Sequence, residues 1–260
     1  MVKYQHMTLI TLLARELADA TDDLLAGAAR LGDAETAAPS ALPGWSRGHV
    51  LTHVSRNAES IVRLLTWART GEETRQYPSP ETRDAEIEAG AGRPAAEQLA
   101  DLTRTSVRLA DEIASMPASG WQGTVSGMRP PPHPGWYLLV RRIREVRYHH
   151  VDLAAGYGPR DWPEPFALRE LHDCLACWPY GMSTIGEIRL SAPHARVFGG
   201  LGDGPAVTGT ATDVLAWLTG RSAGEGVSVV SGKGEPPSPP PWMVTTAPAD
   251  LPAAPPEEYP

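Results

Sequence analysis

The chain has 260 residues, 42% hydrophobic and 21% charged, the balance of a folded soluble protein with room for one large or two small domains. With 23 basic and 31 acidic side chains the net charge is −8, which argues against a broad basic surface for nucleic acid, and no apolar run is long enough to span a bilayer. Two cysteines cannot staple a secreted scaffold of this size, and the opening MVKYQHMTLITLLARELADA carries Arg15 and Glu16 behind a short apolar stretch without a cleavage site, so a cytoplasmic protein is expected.

From Met7 to about Gly32, Leu9, Leu12, Leu13, Leu17, Leu24 and Leu25 recur at helical spacing, predicting an amphipathic helix. Ala37 to Trp45, with two prolines and a glycine, is a loop. Ser46 is an N-cap candidate for a second helix running to about Thr70 and stopped by Gly71. The polar segment Tyr77 to Pro94 holds at most a short helix near Glu81 to Ala89. A third long helix runs from Pro94 to Met116. After a Gly/Pro-rich connection, Ser119 to Gly135, a fourth helix extends from Trp136 to about Ala155. Four long helices predict a bundle over residues 1–160. Short strands at Glu187–Ser191, Ala195–Phe198, Ala206–Gly209 and Val227–Val230, with a helix at Ala211–Thr219, predict a small α/β domain over 161–233, so the fold class is α+β. Residues 234–260 include 10 prolines, which exclude helix and central strand; this tail drapes over the surface or stays disordered.

Chemistry concentrates on the fourth helix, in Arg144-Glu145-Val146-Arg147-Tyr148-His149-His150-Val151-Asp152. Glu145 and His149 project from one face a turn apart, with Asp152 close to that face. His150 points about 100° away and is expected at the surface or behind the cluster. The second helix offers His49 and His53, one stripe that spacing does not divide. A Glu/His pair from one helix and a His from another make three N/O ligands with an open fourth position, the pattern of a catalytic zinc site, whereas one i,i+4 Glu–His pair alone is more often a surface ion pair. Cys174-Leu175-Ala176-Cys177 lacks the second pair that a zinc site needs and reads as ordinary thiols on a helix. Gly199 to Gly204 lacks the Lys-Ser/Thr of a phosphate loop and reads as a turn. Arg221, past the last helix, suits bidentate binding of a carboxylate or a helix C-terminal charge.

The run Ala41-Leu42-Pro43-Gly44-Trp45-Ser46-Arg47-Gly48-His49-Val50-Leu51-Thr52-His53-Val54-Ser55-Arg56-Asn57-Ala58, taken with Arg144 to Leu153, Glu88 to Ala95 and Asp213 to Arg221, resembles the mycothiol-dependent maleylpyruvate isomerase family, within the DinB-like metal-binding helical-bundle superfamily. The likeness spans most of residues 7–230; the stretches Ser126–Trp136 and Cys174–Ile185 depart from it. It implies a DinB-like four-helix bundle followed by a small sterol-carrier-like domain. It also implies a divalent metal, usually zinc, on His53, Glu145 and His149, with His53 rather than His49 matching the family's position. Arg221 matches the family's basic residue after the C-terminal helix and would stabilise substrate charge; Asn57 and Arg83 would contribute polar contacts to substrate or thiol. The implied reaction is addition of the thiolate of mycothiol to the cis double bond of maleylpyruvate, rotation, and elimination to fumarylpyruvate.

Expected partners are therefore a small-molecule thiol and a small anionic substrate, with neither nucleic acid nor membrane, on a monomer or weak homo-oligomer. Two other functions fit the same residues: a mycothiol S-transferase acting on another electrophile, and a non-catalytic metal-binding module.

Overall fold

In a computed structural model, which describes residues 8–260, α1 (Leu9–Ala28) begins after Thr8, whose hydroxyl accepts the Thr11 N–H. The expected start of this helix at Met7, and the opening residues weighed as a leader, lie outside the described residues. Leu9, Leu13, Leu17, Ala20 and Leu24 form its buried stripe. The helix stops before Gly32 because a second, short helix, α2 (Asp33–Ala37), starts there; the Gly32 N–H donates to the Glu35 carboxylate at 3.0 Å.

The helix α3 (Arg47–Thr70) is capped by Ser46 and ended by Gly71 at φ 77°, a left-handed conformation that glycine adopts without a Cβ penalty. It packs against α4 (Pro80–Ala91), α5 (Ala95–Ser115) and α6 (Tyr137–Asp152), and is therefore buried on most of its circumference. Helix α1 leans mainly on α6 and less on α5. Gly48 and Gly90 let α3 and α4 meet closely: a Cβ at Gly48 would strike the Ala91 carbonyl, and one at Gly90 the Thr52 side chain. The Gly/Pro-rich connection between α5 and α6 forms a two-residue antiparallel ladder, β1 (Thr124–Val125) with β2 (His133–Pro134).

Helix α6 buries three arginines, each with a polar partner. Arg147 pairs with Asp23 at 2.6 Å and donates to Tyr157 Oη at 2.8 Å; Arg144 donates to Tyr137 Oη at 3.1 Å; Arg142 reaches the carbonyl of Val54 and Oδ1 of Asn57. Of the two positions expected for His150, the surface one is excluded. His150 is 4% exposed, stacked 3.8 Å from Tyr157, and Gly27 on α1 leaves room for its ring.

The chain divides into two units, one running to Tyr157 and including Asp250–Tyr259, the other Gly158–Ala249. In the second, α7 (Glu164–Ala176) and α8 (Ala211–Leu218) pack together. The sheet has the order β4 (Arg196–Gly199), β3 (Glu187–Leu190), β5 (Ala206–Gly209), β6 (Ser228–Val229), with β3 and β5 parallel and the outer pairs antiparallel. Leu171, Trp178, Ile188, Val207, Val214 and Trp217 are in its core. Cys174 and Cys177 are buried free thiols, and Trp242 Nε1 points at Cys174 Sγ from 3.1 Å. The mixed helix and sheet content is that of an α+β protein.

The proline-rich tail has neither helix nor strand, yet it is anchored. Pro252 accepts from Trp136 Nε1 at 2.9 Å, and Tyr259 meets Trp136 edge-on at 5.1 Å. Among the described residues, no helix is long and apolar enough to cross a membrane.

Candidate metal centre

The cap of α3 separates the two histidines on its stripe. Ser46 Oγ accepts the His49 N–H, and the His49 ring reaches back to the Ser46 N–H at 3.2 Å through Nδ1. Its Nε2 then faces Glu88 on α4 at 3.1 Å. His49 is thus committed to the helix start. One turn on, His53 is 5% exposed; its Nε2 lies 3.1 Å from Glu145 Oε2, and the same oxygen is 3.3 Å from His149 Nε2. One ligating atom from each of His53, Glu145 and His149 lies within 4.8 Å of the others. The two imidazoles meet edge to face at 4.6 Å, and Trp45 packs on His53 at 5.6 Å.

Asp152 completes this arrangement from behind. Its carboxylate is 1% exposed and holds His149 Nδ1 at 2.9 Å, which fixes the ring with Nε2 turned to Glu145. Burial alone would raise the pKa of Glu145, but hydrogen bonds from His149 and His53 hold it well below the usual carboxylate range. Burial opposes charge on His149, yet Asp152 and Glu145 raise its pKa above the ordinary histidine value. His53 is pushed down to about 4, chiefly by burial and then by the neighbouring His149 charge. Two imidazoles and an anionic carboxylate, one imidazole oriented by a second carboxylate, are the donor set a divalent cation such as zinc takes. These side chains fit a metal. Glu145 keeps 31% of its side chain exposed, so the cluster is not sealed.

The remaining candidates sit differently. Arg83, on α4, places Nη2 3.3 Å from His53 Nδ1 and Nη1 2.6 Å from Asp84. Asn57 is 3% exposed, one turn beyond His53, and its Oδ1 accepts from Arg142 Nη1 at 2.7 Å; it is part of the bundle interior. Arg221 belongs to the second unit. There it donates to the Thr219 carbonyl at 2.8 Å and lies 5.9 Å over the Trp242 ring.

Two neighbours of the cluster carried no functional signal in the sequence, and a third carried only part of one. Tyr77, 5% exposed, comes from the α3–α4 loop and sits under the guanidinium of Arg83 at 5.9 Å. Arg141, one turn before Glu145, donates to His133 Nε2 at 2.9 Å and to Gln76 Oε1 at 3.3 Å. Asp152 was visible as a residue near the Glu145 face, but its partnership with His149 needed the rotamers.

The fold and the cluster define a class: a helical bundle in which two helices converge three ligating side chains, followed by a small mixed-sheet unit. Residues 17–154 match the family described as the mycothiol maleylpyruvate isomerase N-terminal domain. The chain belongs to that family. The crystal structure of the mycothiol-dependent maleylpyruvate isomerase superposes with a TM-score of 0.79 at 26% identity, covering 89% of this chain and 96% of that one. The structure of a mutant of that enzyme, with a histidine changed to alanine, matches with the same values. No curated protein matches the chain.

Proposed function

We propose that the protein is a mycothiol-dependent isomerase converting maleylpyruvate to fumarylpyruvate, with a divalent ion, zinc, held by His53, Glu145 and His149. The observation that carries this reading is the convergence of those three ligating atoms within 4.8 Å in a chain of this family. A divalent cation bound there supplies a Lewis acid that favours a thiol's deprotonated, nucleophilic form.

The chain's own residues have distinct tasks. Asp152 retains the Nδ1 proton of His149 and so keeps the Nε2 lone pair available. Trp45 confines the His53 ring. Arg83, beside His53, is a candidate contact for the anionic thiol or substrate, and Asn57 holds Arg142 in place behind the cluster. The family resemblance assigns Arg221 to substrate charge, a role that suits a guanidinium because it can bind a carboxylate bidentately.

The test is loss of the maleylpyruvate enol absorbance with and without mycothiol, alongside metal content. Turnover that requires both thiol and metal supports the proposal, and Arg221→Ala should keep the metal while losing most of that turnover. Stoichiometric metal with mycothiol conjugation of other electrophiles but no isomerisation would replace it with the S-transferase reading. Absence of tightly held metal would refute the ligand assignment.

A further inference from the structure

The seam between α1 and α5 holds a second, separate feature. Ala14 and Ala18 on α1 and Ala110 and Ala114 on α5 lie at i,i+4 spacing on the lining faces, and these short side chains leave a cavity of about 350 Å³. That volume is within the range of small-molecule sites, roughly 300–1,000 Å³. Its walls are mostly apolar, completed by Leu17, Leu25, Leu109 and Ile113.

At this apolar cavity lies a cation. Arg142, from α6, lines it while being 1% exposed. Nη1 is satisfied by the Val54 carbonyl and Asn57 Oδ1, both neutral acceptors, whereas Nε is buried with no hydrogen-bond partner. Among the described residues no carboxylate hydrogen-bonds this guanidinium, unlike Arg147 on the same helix, which has Asp23; Glu145 acts on it only through its charge. The hydroxyl of Ser106, also in the lining, is buried and unpartnered too. A buried donor without a partner is costly, and an anionic acceptor arriving through the cavity would relieve Arg142 Nε and complement its charge. Asp22 lies in the lining on an exposed position, so any anionic head group must sit deep, at Arg142, with its apolar part along the alanine-lined walls.

We propose that this cavity binds a small apolar carboxylic acid, its carboxylate on Arg142 and Ser106 and its hydrocarbon between α1 and α5. The lining contains none of the three metal-ligand candidates, although Arg142 lies three residues before Glu145 on α6.

The probe is decanoate, titrated calorimetrically into the full chain, with decan-1-ol and decylammonium as controls and methyl NMR to locate the site. Decanoate should bind at least about tenfold more tightly than decanol, because it adds a charge-assisted hydrogen bond. Decylammonium should not bind, and the methyls of Leu17, Leu109 and Ile113 should shift. Ala110→Phe, which fills the cavity from an exposed helix position, should weaken decanoate by about tenfold or more. Arg142→Met should erase the preference for acid over alcohol; if that variant does not fold, the Ala110→Phe and NMR results decide. Equal affinity for decanoate and decanol, binding indifferent to Ala110→Phe, or unmoved methyls would each overturn the proposal. So would a chain dimer that covers Val107, an exposed residue of the lining, and excludes decanoate.

Discussion

Asp152→Asn tests whether the cluster is built to hold a metal or is merely an ion pair between helices. The substitution keeps side-chain volume and an acceptor oxygen, and all three proposed ligands remain. What it removes is the negative charge 2.9 Å from His149 Nδ1, on a carboxylate only 1% exposed and so poorly screened by water. Outer carboxylates of this kind raise the basicity of the ligating imidazole and fix its ring, and their loss typically costs about 10–100-fold in metal affinity. That corresponds to about 1.4–2.7 kcal/mol. Competition for zinc against a chromophoric chelator at constant pH should therefore show a dissociation constant raised by this factor with stoichiometry unchanged. His149→Ala should instead abolish stoichiometric binding, because two protein ligands are an inadequate site. An Asp152→Asn protein that binds zinc as tightly as the parent would refute the outer-shell argument. Tight zinc binding that survived His149→Ala would refute the ligand set itself.

His49→Ala should retain metal, since its ring serves the α3 cap and Glu88, and should lower stability by about 0.5–2 kcal/mol in thermal or urea unfolding; loss of metal comparable to His53→Ala would show that the wrong histidine was assigned. Gly48→Val should destabilise by about 1–3 kcal/mol, because its Cβ would strike the Ala91 carbonyl, which is backbone; an unchanged urea midpoint would mean that α3 and α4 are not that close in solution. His133 is 2% exposed, and burial together with the Arg141 charge depresses its pKa to about 3 from 6.5, so below pH 6.5 the unfolded chain takes up the proton first. Stability from this group is complete above the unfolded value and declines as pH falls towards the folded one, by about 1.4 kcal/mol per pH unit; His133→Gln should flatten that part of the urea-midpoint profile between about pH 6.5 and 4.5, and a slope equal to the parent's would contradict it.

Much of the architecture was readable because apolar burial follows a local period. The leucines of α1 located that helix, which ends at Ala28 rather than near Gly32, the cap and stop of α3, Ser46 and Gly71, placed that helix almost to the residue, and the short strands of the second unit emerged from bounded β-prone runs. The Glu145–His149 pair is equally local, one helical turn. The choice between His49 and His53 did not follow from the stripe, but it is encoded: once Ser46 is the N-cap, His49 is the N3 residue, the position whose side chain returns to the cap, here done by an imidazole. The limits appear where polar groups are buried. Periodicity gave no place in the interior to Arg142, Arg144 and Arg147, yet all three are buried, because partners as distant in the chain as Asp23 and Asn57 accept their charge or hydrogen bonds. The same holds for Tyr77 and His133, delivered by loops, and for the tail, where prolines rule out secondary structure but not the packing of Tyr259 on Trp136. A hydrophobic residue is buried by its own chemistry, whereas a charged one is buried by the company it finds. Sequence periodicity therefore becomes least informative in the polar network around His53, Glu145 and His149, where the function is proposed to reside.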